Sequence, residues 1–400
     1  MKLKIIITFF LTTLVYSQKI KLLESSQNLE ITKDSLDSFI EKKMIKSGMV
    51  GLAAVIIVNK KVVWIKGYGY ADKENDISFT PSTIMNIGSI SKTITGASMM
   101  KAIEENKIDL DEDINKYLPF KVVNPYFPDE KITLRNLATH TSGIVDQYPL
   151  YSTAYNYGGD STESLEDFLK NYFEPRGKYY LQNNFLNHKP GSYREYSNIA
   201  TGLAGYIIEN VTGLKLNIYS KEKNFKPLNM KDTGWFLSEI NVANHSKLYE
   251  KQGTTTKTIP LYGLTTYPDG GVRTSVKDLS KFFICLLNNG EYKGKKILEK
   301  KSVDEMLKFQ FTALNKPENV NIEELNSGLF WATKNNITLI GHGGTDPGVK
   351  TVMLSNLSKD IGIIVFTNTS LNEEGTIIFG DIFKELFKYA IVLKSKSRSH

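Results

Sequence analysis

A hydroxyl and an amine stand three residues apart in Ser89-Ile90-Ser91-Lys92. On helical backbone, positions i and i+3 share a face, so the Lys92 side chain can reach the Ser89 oxygen without help from remote parts of the chain. A serine hydroxyl is a poor nucleophile near neutral pH and needs a neighbouring base to take its proton as it attacks a carbonyl. Gly88, just ahead, permits a sharp turn into the helix. Ile90, Ile94, Ala97 and Met100 follow at positions suited to a buried helix. In the first turn the serine also faces the positive end of the helix dipole, which favours negative charge developing there. The tetrapeptide alone is weakly specific, because Ser220-Lys221-Glu222-Lys223 repeats the pattern among charged residues on what reads as a solvated helix surface. Taken singly, Ser89 and Lys92 would pass for a helix cap and an exposed lysine.

Two further short motifs follow. Tyr196-Ser197-Asn198 is the only Tyr-x-Asn in the chain and His342-Gly343-Gly344 the only His-x-Gly. Each has a plain structural reading, a buried tyrosine with a partnered hydroxyl and a glycine turn beside a histidine. As an ordered set, the three resemble the class C β-lactamase and penicillin-binding protein-like superfamily of serine hydrolases, whose motifs are Ser-x-x-Lys, Tyr-x-Asn and Lys/His-x-Gly. Flanking phrases strengthen the resemblance: Leu137-Ala138-Thr139-His140-Thr141-Ser142-Gly143, Lys189-Pro190-Gly191-Ser192 and Gly270-Gly271-Val272-Arg273-Thr274-Ser275. It spans roughly residues 34 to 388.

The resemblance implies a β-lactamase/transpeptidase-like fold and an acyl-enzyme formed on Ser89 with an amide or ester. It implies that Lys92 and Tyr196 share the base role. Lys92 would serve if burial and nearby positive charge lower its proton affinity, and Tyr196 if Lys92 stays charged beside a phenolate. The backbone N–H groups of Ser89 and Thr345 would form the oxyanion hole. Asn198, His342, Gly343 and Gly344 would contact substrate. His342 occupies the place of a lysine in typical class C β-lactamases, and a histidine is largely neutral at pH 7 and titrates nearby. That departure points to a peptidase resembling DD-carboxypeptidases or D-aminopeptidases, or to an esterase. The alternatives are a class C-type β-lactamase and, from another class, a non-catalytic peptidoglycan-binding protein that keeps the fold. The implied partner is a small-molecule or peptide substrate, with peptidoglycan fragments among the options, and no cofactor is implied.

The elements that would position these residues can be read from patterning. Lys2 and Lys4, then apolar residues from Ile5 to Val15, then Ser17 and Gln18, form a secretory signal pattern over 1–17, implying export to the periplasm or outside the cell with no integral span after cleavage. Residues 18–393 read as one hydrolase domain and 394–400 as a basic tail. Lys2, Lys4, Lys394, Lys396 and Arg398 account for most of the formal net charge of +7, so no nucleic-acid partner is expected. The single Cys285 excludes an intramolecular disulfide and lies in an apolar helical run. The five histidines lack metal-ligand spacing, so no metal is expected. Residues 34–48 read as an amphipathic helix, and 51–58 and 62–70 as a hairpin. Further strands are expected at 329–333, 338–341, 350–354 and 361–367 before a last helix. The fold class is therefore α/β of the α+β type: an antiparallel sheet from N- and C-terminal segments (about 34–80 and 266–390) flanked by helices, plus a mainly helical lobe (about 81–265).

Overall fold

Gly51–Val58 is apolar throughout and buried along its whole length, the pattern of a strand covered on both faces. In the computed structural model, which describes residues 31–148, 150–252 and 255–396, this segment is β1. It turns at Asn59-Lys60, both with positive φ as a tight hairpin requires, into β2 (Lys61–Asp72), which pairs in turn with β3 (Ile77–Ser78). The remaining strands come from the other end of the chain: β4 (Ala332–Lys334), β5 (Leu339–Asp346), β6 (Val349–Asn356) and β7 (Ile361–Thr367). Pairing of β7 with β1 joins the two groups into an antiparallel seven-stranded sheet ordered β4-β5-β6-β7-β1-β2-β3.

Alternation along the strands makes two cores. Leu52, Ala54, Ile56, Ile363 and Val365 face helices α1 (Lys33–Ser47) and α5 (Glu373–Lys396). Ala53, Val55, Ile57, Ile364 and Phe366 face the other way and join a cluster that includes Phe282 and Phe283 of α4 (Val276–Leu287). That second cluster continues into α2 (Ser91–Glu104) and α3 (Asn198–Thr212), which carry the first two motifs. Cys285 is buried in α4, and burial pushes its thiol up to about 12. Among the described residues no helix is long and apolar enough to cross a membrane.

Three local expectations need correction. The strand expected at 329–333 begins only at Ala332, because Phe330 takes a left-handed φ of 57° and buries its ring while its N–H bonds to Ala138. Ser220 is not on a solvated surface. It is fully buried, and its oxygen accepts the Trp235 indole N–H at 2.7 Å, ahead of a π-helical turn at Lys221–Phe225. The expected basic tail starts inside a helix, since α5 runs through Lys396 and Lys394 bonds Asp360 at 2.9 Å. The signal pattern over 1–17 and residues 397–400 lie outside the described residues.

The helical part meets the Tyr267–Asp269 turn through close backbone packing. A Cβ on Gly205 of α3 would sit 2.4 Å from Pro268 Cγ, so only glycine lets α3 lie against the Tyr267–Asp269 turn. Gly380 of α5 is the opposite case, with open space where a Cβ would stand. Gly205→Ala is expected to cost about 1–3 kcal/mol through overpacking, whereas Gly380→Ala is expected to stabilise by about 0.5–1 kcal/mol by restricting the unfolded chain. Urea unfolding of the two variants checks both signs.

Candidate active site

The first motif starts on a 3₁₀ turn at Gly88–Ile90, entered through Gly88 at φ 53°. Ser89 lies on that turn and Lys92 three residues on, in the first turn of α2, so the two side chains share a face. The Lys92 side chain is fully buried, and its Nζ lies 3.2 Å from Ser89 Oγ, 2.6 Å from Asn198 Oδ1 and 2.8 Å from the Asp269 carbonyl. Burial lowers its proton affinity, but Tyr196, Asp269 and Asp146 outweigh that effect and hold the ammonium above its ordinary value. Of the two conditions set for the base role, this meets the second, in which Lys92 stays charged: its strongest charged neighbours are acidic. As an ammonium, Lys92 donates to all three oxygens.

The second motif is fixed by two residues that sequence reading did not single out for a role. Asp146 accepts from the Ser197 hydroxyl at 2.7 Å, from the Asn198 and Ile199 amides at 2.8 and 3.0 Å, and from Asn198 Nδ2 at 2.8 Å. It therefore caps α3 and turns Asn198 so that its carbonyl oxygen meets Lys92. His140, from the Thr-His-Thr-Ser-Gly phrase, takes a positive φ of 59°, accepts the Ser197 N–H at 3.3 Å and lays its ring 4.3 Å from that of Tyr196. Burial, then Arg194 and Lys92, hold His140 well below its usual range. The Tyr196 ring is left with its centroid 5.1 Å from Lys92 Nζ and 6.4 Å from the His342 ring.

The third motif lies inside β5, a longer strand than the expected 338–341 segment. A Cβ on Gly344 would fall 2.3 Å from the Ile87 carbonyl, so glycine allows β5 to press against the turn that carries Ser89. Thr351 of β6 clamps the same carbonyl at 2.8 Å. As a result the Thr345 nitrogen stands 3.3 Å from where a Gly88 Cβ would be, beside the turn that carries Ser89. His342 donates from Nδ1 to the Gly343 carbonyl at 2.7 Å, since a carbonyl can only accept. Burial, and then the Lys92 charge, depress His342 from 6.5 to about 3, so it is neutral and does not titrate near pH 7 as the sequence suggested.

Ser89, Tyr196, Asn198, His342, Gly343, Gly344 and Thr345 all line one cleft of about 990 Å³, with Lys92 under its floor. The turn that follows Tyr267 is pinned to α2 three times, by Lys92, by Thr95 bonding the Pro268 carbonyl at 2.7 Å and by Ser91 accepting the Val272 amide at 3.0 Å. The Gly270–Ser275 phrase therefore packs against the helix head that carries Ser89. The cleft also shows basic residues missed from sequence. Arg194, Lys334 and Lys350 border it, none holds an ion pair with a carboxylate among the described residues, and burial lowers all three from their usual values. They supply cationic charge in a cleft where His342 is neutral. Among the described residues no cluster of His, Cys, Asp or Glu could hold a metal.

A serine at the head of a helix, a buried lysine under it and a glycine-bearing strand beside it, on this sheet, define the β-lactamase-fold class of serine hydrolases. The beta-lactamase family model matches residues 36–380, and the chain belongs to that family. It is 31% identical over 350 residues to Protein flp of Staphylococcus aureus (strain MRSA252), covering 86% of this chain and 64% of that protein, so it spans just under two thirds of that relative. The structure of an octameric penicillin-binding protein homologue from Pyrococcus abyssi is similar, with 26% identity, TM-score 0.70 and coverage of 91% of this chain and 78% of the other. A D-amino acid amidase from Ochrobactrum anthropi SV3, solved with L-phenylalanine amide, shares the fold at 20% identity and TM-score 0.67, covering 91% and 99%.

Removing Asp146 leaves three amide or hydroxyl donors unmet at the head of α3 and frees Asn198. Asp146→Ala is expected to lose about 2 kcal/mol of stability, read by denaturant unfolding, and to slow acylation of Ser89 as well. The depressed His342 has a sign for stability too. Between about pH 3 and 6.5 the unfolded chain binds a proton there that the folded chain refuses, so this residue costs stability as pH falls through that window. In His342→Gln the slope of unfolding free energy against pH between about 4 and 6 should be shallower by about one proton.

Proposed function

We propose that this protein is an exported serine hydrolase that cleaves an amide or ester through an acyl-enzyme on Ser89, as a peptidase of carboxypeptidase or aminopeptidase type or as an esterase. The observation that carries the reading is Lys92 Nζ bridging Ser89 Oγ, Asn198 Oδ1 and the Asp269 carbonyl. A fully buried lysine in hydrogen-bond contact with a cleft-facing serine has no structural need to be there. The N-terminal signal pattern supports export.

In this mechanism Ser89 Oγ attacks the substrate carbonyl while its proton passes to the oxygen of Tyr196, beside the Lys92 ammonium. Lys92 keeps its proton and donates to Ser89 Oγ. Charge building on the carbonyl oxygen is met by the amides of Ser89 and Thr345. Collapse of the tetrahedral intermediate expels an amine or alcohol, which takes the proton from Tyr196. Water then attacks the ester carbonyl on Ser89 as its proton passes to Tyr196, and collapse releases the acid while Tyr196 returns that proton to Ser89 Oγ. Asn198 touches the acyl portion of the substrate. A neutral His342 is poorly suited to the carboxylate of a penicillin, and Arg194 and Lys334 offer charge for a differently placed anion such as a peptide terminus. These features favour peptide cleavage over β-lactam turnover.

Intact-mass spectrometry after incubation with a penicillin, a D-Ala-D-Ala peptide and a short-chain nitrophenyl ester tests the proposal. One acyl adduct is expected on Ser89, absent in Ser89→Ala, with a long-lived penicillin adduct. Tyr196→Phe should slow acylation by about 10²–10⁴-fold. An adduct that persists in Ser89→Ala would reject the nucleophile, and rapid turnover of the penicillin would favour a β-lactamase instead.

A further inference from the structure

The tyrosine-rich segment Tyr148–Tyr157 finds its purpose in two buried carboxyl groups. Tyr151 donates to Asp269 Oδ1 at 3.0 Å, and Tyr155 donates to Asp346 Oδ1 at 2.7 Å. Each aspartate has a second oxygen that is enclosed and without a hydrogen-bond partner. Asp269 is the residue whose backbone carbonyl holds Lys92. Asp346 directly follows Thr345, and its free oxygen lies 3.0 Å from where a Cβ on Gly88 would be and 3.6 Å from the same point on Gly270. The Asp346 carboxyl is thus wedged where three site segments meet: the turn before Ser89, the turn after Asp269 and the end of β5.

We propose that Asp346 is a positioning residue of the oxyanion site, that its carboxyl holds the Thr345 amide against the Ser89 turn, and that it does so productively as the neutral acid. The inference rests on the acyl-enzyme reading above. A carboxylate at this point would set a negative charge beside the place where the oxyanion forms and would oppose it, whereas a protonated carboxyl keeps the same wedge without the repulsion.

The surroundings bring the switch between these forms into the working range. Burial raises the Asp346 carboxyl, the Tyr155 hydrogen bond and the Lys92 and Arg273 charges pull it back, and it settles at about 6. The other titratable groups around it are Tyr151, Tyr157 and Tyr262, and Asp269, which burial lifts to about 7 against the pull of Lys92. Since Asp269 and Asp346 titrate in overlapping ranges, the pH response belongs to the pair.

Turnover of a short-chain nitrophenyl ester from pH 5 to 9, in wild type, Asp346→Asn and Asp346→Ala, tests this. Rates of labelling by a fluorophosphonate probe, read by intact mass on the same proteins, give a second measure that does not depend on deacylation. Dividing the wild-type rate by the Asp346→Asn rate cancels the titrations that are independent of Asp346 and leaves that of the coupled Asp269–Asp346 pair. The ratio should be near one at pH 5 and fall to about one tenth by pH 8, with its midpoint between about 6 and 7. Asp346→Ala, which loses the wedge, should be slower than Asp346→Asn throughout. A ratio that stays flat with pH, or an Asn variant as impaired as the Ala variant, overturns the proposal. Wild-type protein that forms no adduct with either reagent overturns the Ser89 assignment itself, a distinct failure.

Discussion

The molecule is organised around one buried ammonium. Lys92 Nζ meets Ser89, Asn198 and the Asp269 carbonyl, and each partner is delivered by a different part of the chain. The hydrogen-bond count alone admits two states. An ammonium would donate to all three oxygens, whereas a neutral amine would donate to the two carbonyl oxygens and accept from the Ser89 hydroxyl. Charge decides between them: the acidic groups around Lys92 outweigh its desolvation, and the ammonium form holds. An uncompensated charge there would be costly, so the helices, the Asp269 turn and the cap of α3 must all close correctly around it.

That requirement explains much of the backbone detail. Gly205 lets α3 approach the Asp269 turn, Gly344 lets β5 approach Ile87, and Ser91 and Thr95 tie the turn to α2. Asp146 and His140 then set the two polar residues of the second motif. The sheet contributes by bringing β5, from late in the chain, alongside a turn more than 250 residues earlier in sequence.

Much of this was legible in the sequence. The continuous apolar runs at 51–58 and 361–367 marked strands because both faces are buried, and the three motifs marked one cleft because their residue types make chemical sense only together. What stayed hidden depended on tertiary surroundings. The strand at 329–333 was displaced by the left-handed Phe330, whose ring is buried. Ser220 looked exposed because its neighbours in sequence are charged, but its partner is Trp235. Asp146, Asp269 and Asp346 carried no spacing signal, since each acts through groups brought near by folding. The neutral state of His342 was likewise invisible, for it arises from burial and the charge of Lys92. The cations Arg194, Lys334 and Lys350 come from separate segments, and only the folded cleft shows them as neighbours.

The most direct test of the central claim is the charge on Lys92 itself. Protein labelled with ¹⁵N at lysine Nζ, with the Lys92 resonance assigned by its loss in Lys92→Met, can be followed by NMR as pH is raised. The account predicts an ammonium signal that holds steady from about pH 6 past pH 9, as expected for a lysine held above its ordinary value. A titration of that resonance with a midpoint below about pH 8 would show a neutral amine facing Ser89 and would contradict the assignment of the proton acceptor to Tyr196.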